Sequence, residues 1–251
     1  MEKPITSNEA YAEWIQVNEP NEAALQTQRQ EKFVYSPLIS IVVPTFNTQE
    51  TFLRDMIGSL IHQTYANWQL CIADGGSDVK FHIENILAEY AKSDSRIIYT
   101  MIGKNLGIAE NTNVALNSAQ GEYIGFLDHD DILAPFALYE IVKSINEQMK
   151  PDFLYSNEDK FVEVGGLRFE PYYKPDFSID MLRSVNYIGH FSVVKQDVVK
   201  KIGGFNGEFD GSQDYDFLLR VAETTKHIVH IRKILYHWRS HEASVALNPE
   251  S

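Results

Sequence analysis

The sequence holds a single cysteine, too few cations for its acids, no long apolar run and no glycine-rich phosphate loop. With Cys71 alone, an intrachain disulfide and a cysteine-built zinc cluster are excluded, and a reducing cytoplasm is the expected setting. Its neighbours Gln69, Leu70, Ile72 and Ala73 read as a buried strand, which makes the thiol structural. Lys and Arg number 22 against 35 Asp and Glu, a formal charge of −13. That charge repels a polyphosphate chain, so nucleic acid is not an expected partner, while a single phosphorylated ligand can still be held by a local cation or a metal. No stretch approaches about 18 uninterrupted apolar residues, and residues 1–16 lack an apolar core of signal-peptide length. A membrane span and secretion by a standard signal are therefore not expected; peripheral contact with a membrane stays open. No Gly-x-Gly-x-x-Gly follows the first apolar strand and no Gly-x-x-x-x-Gly-Lys-Ser/Thr occurs, which disfavours a dinucleotide dehydrogenase and a P-loop NTPase.

What is present suits a packed α/β domain: 251 residues, 44% hydrophobic and 12% aromatic. Residues 1–36 are polar, with Tyr11, Trp14, Ile15 and Leu25 as sparse anchors, and read as a helical arm lying on something else. From Leu38 the texture changes. Ile39 to Val43 is a buried strand stopped by Pro44, and Leu53, Met56, Ile57, Leu60 and Ile61 recur at helical spacing. The unit repeats with a strand over Gln69–Ala73 and a helix through Ile83, Ile86, Leu87 and Tyr90. A strand over Arg96–Met101, a helix over Gly107–Ala119 and a strand over Tyr123–Leu127 follow. Strands alternating with helices predict a mostly parallel central sheet covered on both faces. Beyond residue 150 the pattern loosens into a hairpin around Gly165-Gly166 and an aromatic stretch Phe169–Phe177, a smaller β region suited to a second substrate. The expected organisation is an arm (1–36), an α/β domain (37–246, with a nucleotide half 37–131 and an acceptor half 132–246) and a tail (247–251).

In such sheets ligands bind beyond the carboxyl ends of the strands, and the polar residues fall there: Thr45 and Asn47, Asp74 and Asp78, Lys104 and Asn105, Asp128 and Asp130. Asp128-His129-Asp130-Asp131 sets three carboxylates within four residues, which repel one another unless a cation sits among them. Oxygen ligands favour magnesium, manganese or calcium over zinc. The alternative is a solvated acidic turn ahead of the helix that follows Pro135.

Five motifs in order carry a resemblance: Ile39-Ser40-Ile41-Val42-Val43-Pro44-Thr45-Phe46-Asn47, Asp74-Gly75-Gly76-Ser77-Asp78, Asn105-Leu106-Gly107, Phe126-Leu127-Asp128-His129-Asp130-Asp131 and Ser212-Gln213-Asp214-Tyr215-Asp216. Over about residues 37–246 the chain resembles glycosyltransferase family 2, in particular catalytic modules of bacterial polysaccharide and O-antigen transferases. The resemblance implies a GT-A fold and sugar transfer from a nucleoside diphosphate donor, usually with inversion. It implies Mn2+ or Mg2+ on Asp128 and Asp130, with Asp128 thereby serving the donor diphosphate. It places the nucleotide base and ribose against Pro44, Thr45, Asn47 and Asp74, and a closing loop at Lys104, Asn105 and Gly107. The family's catalytic base, the Asp of a Glu-Asp pair ahead of a helix, maps onto Asp214; here the preceding residue is Gln213. Asp216 and the more distant Asp210 are rivals, and Asp214 can also be read as a helix cap.

In Tyr236-His237-Trp238-Arg239-Ser240-His241, His241 is the favoured further metal ligand by that resemblance and His237 the lesser one, with Arg239 available to a phosphate oxygen. His190 is a candidate to face the sugar or acceptor, and Trp68, Tyr155, Tyr172, Tyr173 and Trp238 are candidates for stacking on sugars. The expected partners are a UDP-sugar, with a dTDP-sugar as the alternative donor, and a saccharide or lipid-linked saccharide acceptor. The expected place is the cytoplasm or the inner face of its membrane, in a module of a longer chain. A nucleotidyltransferase would carry a glycine-rich basic stretch after the first strand, where Pro44-Thr45-Phe46-Asn47 stands instead. A noncatalytic sugar-binding module would have lost the Asp-x-Asp or the base.

Overall fold

The computed structural model describes residues 7–162 and 166–240. Four parallel strands make its first half: β1 (Ile39–Thr45), β2 (Trp68–Asp74), β3 (Ile97–Met101) and β4 (Tyr123–Phe126), in the order β3-β2-β1-β4. The sheet then continues through β8 (Ser192–Lys195), β6 (Phe153–Phe161), β9 (Ile228–Arg239) and β5 (Ile132–Leu133), with β7 (Arg168–Tyr172) hydrogen-bonded to β6. Here the pairings are antiparallel except β6 with β9, so the second half is a mixed β region appended to a parallel one. β6 and β7 form the expected hairpin; Gly165 lies outside the described residues.

The period-2 alternation of side chains sorts the strands into two cores. Ile41 and Val43 of β1 and Leu70 and Ile72 of β2 pack on one face, while Val42, Cys71 and Ala73 pack on the other. Cys71 is fully enclosed, and burial pushes its thiol up to about 12. The first face is covered by α3 (Glu50–Ile61), α4 (Ile83–Ser93) and α6 (Ala137–Glu147), whose apolar residues recur every three or four positions. The second is covered by α5 (Ile108–Leu116), α7 (Ile179–Ser184), α8 (Gln196–Ile202) and α9 (Gln213–Thr224). Pro44 does not stop β1. It stays in register opposite Ala73, and β4 has already left the ladder at Phe126 opposite Val42, so the missing N–H falls at a ladder end.

The arm is two helices, α1 (Ser7–Asn18) and α2 (Glu22–Gln30). Leu25 joins the first core. Tyr11 is buried, and its hydroxyl donates to Asp159 Oδ2 at 2.6 Å. Arg168 completes the junction, donating to Asp159 at 2.7 Å and to both Glu19 carboxylate oxygens. No described helix is long and apolar enough to cross a membrane.

Candidate active site

The ends of β1 and β4 open into a cavity of about 480 Å3. Pro44 and Asp128 form one side of it, Gln213 and Asp214 at the start of α9 another, and His190 and Trp238 stand between. Most of the remaining wall is apolar, including Phe126, Phe205 and Phe217, whose rings pack edge-on or stacked. Residues far apart in sequence thus bring two carboxylates to one low-dielectric chamber.

Asp128 enters it because the chain leaves β4 there. Its backbone N–H donates to the Tyr236 hydroxyl at 3.3 Å, and that hydroxyl donates in turn to Asp131 Oδ2 at 2.5 Å. The side chain of Asp128 is 44% exposed and lies 3.3 Å from His190 Nε2. Burial pushes its carboxyl up, but His190 outweighs that and holds it below the usual carboxylate range. Burial likewise works against the imidazolium, yet the carboxylates of Asp128 and Glu158 raise His190 well above an ordinary imidazole. Asp131 is the odd member of the acidic run. It is fully buried, accepts from Arg239 N–H and the Tyr236 hydroxyl, and is raised well above the usual range by burial and by its neighbours Asp128 and Asp130.

Asp214 lies in the first turn of α9, where a carboxylate complements the helix dipole. Its Oδ2 accepts from Asn186 Nδ2 at 2.8 Å. The rivals are committed elsewhere. Asp216 pairs with Arg220 at 2.6 Å, and Asp210 accepts from the Ala109 N–H at the start of α5.

The second cluster of expected residues forms the wall of a neighbouring loop system. Asp74 is fully enclosed and its two oxygens accept four hydrogen bonds, from Thr45 Oγ1, Ser77 Oγ and the N–H groups of Gly76 and Ser77. In this arrangement both its oxygens are engaged within the turn, whose geometry Asp74 holds. Asn47 ties the same turn to β1, its N–H donating to Ser77 Oγ and its Oδ1 accepting from Asp78 N–H. Gly76, at φ +77°, lies so close to the Gly103-Lys104 backbone that a Cβ would collide with it. Lys104 is exposed on that loop, and Asn105 Oδ1 accepts from Gly107 N–H and Asn111 Nδ2.

Arg239 does not reach the cavity. Its side chain is buried between the rings of Phe52 and Phe161 and donates to the Asp130 carbonyl and to Asp55, so it braces the acidic loop from behind instead of meeting a phosphate. His237, one residue from Trp238 on β9, points to the opposite face, where its Nδ1 meets Asp159 at 2.5 Å. His241 lies outside the described residues. Trp68 and Tyr155 are buried, the first under the Arg96 guanidinium and the second stacked on His230, so neither can hold a sugar. Tyr172 and Tyr173 are exposed, and Trp238 lines the cavity.

Four residues to which the sequence reading gave no role shape the site. Asn186 holds Asp214 from 28 positions away. Glu158 accepts from the His190 N–H at 2.9 Å and from Lys174 Nζ at 3.0 Å, while Lys174 also donates to the His190 carbonyl. Tyr236 carries the His190 ring. Asn186 and Lys174 carry no motif signature; Tyr236 opens the stretch quoted for His237 and His241, and Glu158 lies in the polar Asn-Glu-Asp interruption of an apolar strand at 157–159.

Asp128 and Asp130 supply hard oxygen donors at the strand end, with side chains 44% and 22% exposed, and among the described residues no third His, Cys, Asp or Glu completes a metal cluster. Carboxylate oxygens are the donor type that suits Mg2+ or Mn2+.

A sequence model of glycosyl transferase family 2 matches residues 40–203. The O-antigen biosynthesis protein RfbC of Myxococcus xanthus is 36% identical over 236 residues, 94% of this chain, and the chain spans 18% of that protein's length. Among solved structures, S. aureus TarS 1-349 superposes with a TM-score of 0.66 at 19% identity, covering 80% of this chain and 60% of TarS. The mannosyltransferase PcManGT of Pyrobaculum calidifontis, in complex with GDP-Man and Mn2+, gives 0.65 at 14% identity over 88% of this chain and 64% of its own. With the parallel half-sheet, the acidic strand end and a family match over more than half its length, the chain belongs to glycosyl transferase family 2, as a glycosyltransferase domain of the GT-A fold.

Proposed function

We propose that the chain transfers a sugar from a nucleoside diphosphate to a hydroxyl of a saccharide or lipid-linked saccharide, with inversion, in the building of a bacterial surface polysaccharide. The observation that carries this reading is the single cavity holding Asp128 at a strand end and Asp214 at a helix start. Asp214, oriented by Asn186, accepts the proton of the acceptor hydroxyl. The hydroxyl oxygen bonds to the anomeric carbon as the bond from that carbon to the diphosphate breaks, and one displacement inverts the centre. Asp128 and Asp130 would hold Mn2+ or Mg2+, which when bound supplies positive charge to the leaving diphosphate. His190, with Nε2 3.3 Å from Asp128 and its backbone N–H on Glu158, stands on the same wall. The apolar walls keep water away from the reacting bond. The loops at Asn47, Asp78 and Lys104–Gly107 would enclose the nucleotide, with Asp74 holding their geometry. A UDP-sugar is the favoured donor and a dTDP-sugar the alternative; TarS has been solved in complex with UDP-GlcNAc. The relatives' greater length supports a module of a longer transferase; the place proposed for it is the cytoplasm, at the membrane face where lipid-linked acceptors lie.

Incubation with a panel of nucleotide sugars and Mn2+, reading nucleoside diphosphate release, tests the proposal. Release from one donor, lost in Asp214→Asn, is expected; no release from any donor, with or without saccharide acceptors, would overturn it.

A further inference from the structure

The site face of the sheet continues past the cavity just described. Residues in register across strands share a face, and Tyr172 of β7, Glu158 of β6 and Tyr236 of β9 form one such row. Two residues along, Lys160 and Trp238 are paired on the same face. Between these rows lies a second cavity of about 420 Å3, lined by Glu158, Lys160, Glu170, Tyr172 and Trp238. Its volume falls in the range of small-molecule sites, about 300–1,000 Å3. Trp238 lines both cavities, so the two are neighbours across one indole.

We propose that this second cavity is an acceptor subsite for a neutral pyranose, the sugar unit next to the one that receives the transfer. The inference rests on the transferase reading, since it takes the reacting hydroxyl to lie at Asp214. Because Trp238 lines both cavities, the unit attached to an acceptor in the first cavity has a path over the indole into the second. The chemistry of the lining suits a sugar. A pyranose has an apolar C–H face and a rim of hydroxyls, and here an exposed tyrosine ring (41%) and an indole stand beside carboxylate and ammonium groups. The charges argue for a neutral unit. Glu158 already holds Lys174 at 3.0 Å, Lys160 holds Glu170 at 2.7 Å, and Asp159 behind them holds Arg168. An anionic sugar would meet three acids whose partner cations are already engaged. The ion pair Lys160–Glu170 also lines this cavity, its ammonium 5.4 Å over the Trp238 ring.

The test is calorimetric titration of the full chain, with UDP and Mn2+ present, using neutral mono- and disaccharides of glucose, N-acetylglucosamine, mannose and rhamnose, with glucuronic acid-containing disaccharides alongside. At least one neutral disaccharide is expected to bind about tenfold more tightly than its monosaccharide. Tyr172→Ala should remove that gain and Tyr172→Phe retain it, with UDP affinity equal in all three proteins; Lys160→Met should reduce the gain independently. No neutral disaccharide gaining over its monosaccharide, a gain that survives Tyr172→Ala, or a preference for the uronate series would each overturn the subsite while nucleotide binding leaves the transferase reading standing. Failure to bind UDP, dTDP and GDP alike would overturn both.

Discussion

The imidazole of His190 lies on the phenol ring of Tyr236, centroids 4.6 Å apart and planes 15° from parallel. The same phenol joins Asp128 to Asp131, accepting from the backbone of one and donating to the carboxylate of the other. One side chain of β9 therefore fixes both the acidic strand end and the imidazole facing it. The buried pair Glu158–Lys174 grips the backbone of His190 from the other side. Because burying such a pair costs desolvation, its role is better read as placement than as stability.

Tyr236→Phe keeps the ring under His190 and removes the hydroxyl between Asp128 and Asp131. Leaving a buried carboxyl without that donor is expected to lower stability by ~1–3 kcal/mol. A reduced denaturant midpoint with an unchanged m value would show it; an unchanged midpoint would mean that the Arg239 N–H alone satisfies Asp131.

Asp214→Asn should lower turnover by a factor on the order of 100 to 10,000, the usual worth of a positioned base. Nucleoside diphosphate affinity should stay the same, because the base meets the acceptor. Asp216→Asn is the control: its ion pair with Arg220 ties α9 to the loop at Ile202–Gly204, so melting temperature should fall with little change in turnover. A dead Asp216→Asn beside an active Asp214→Asn would move the base.

Replacing Asp130 by Ala should abolish the dependence of nucleoside diphosphate binding on Mn2+. The wild-type protein should lose at least about tenfold in affinity when the metal is chelated, the scale on which metal sites respond to a lost partner. Equal affinity in Asp130→Ala and wild type, each with and without chelator, would remove the metal from donor binding.

The arm junction should make the fold acid-sensitive. Burial alone would raise the Asp159 carboxyl, but His237, Arg168 and the Tyr11 hydroxyl outweigh it and hold the group below its ordinary value. Glu19 shares Arg168 from the arm side. A depressed native pKa contributes stability that is present above the unfolded value, about 4, and is lost as pH falls through and below it. Melting temperatures should thus drop more steeply below about pH 4 in the wild type than in Asp159→Asn, which starts lower at neutral pH. Parallel curves would dissociate Asp159 from acid unfolding.

The sequence by itself determined the β-α alternation of the first half, because apolar period and strand-end polarity are local properties that Ile39–Thr45, Trp68–Asp74 and Tyr123–Phe126 carry within single segments. It also singled out Asp128 and Asp214, whose positions follow from lying at a strand end and a helix start. Only the tertiary structure decided which neighbours serve them. Asn186 reaches Asp214, and Glu158 reaches His190, across 28 and 32 residues, and the β6 register that aims Glu158 shifts at Asn157. It also decided that Asp74 turns inward, that His237 and Arg239 face away from the cavity, and that Trp68 and Tyr155 are core while Tyr172 is surface. Composition gives a side chain's chemistry, but which face of a strand it occupies, and what covers that face, depends on pairing between distant segments.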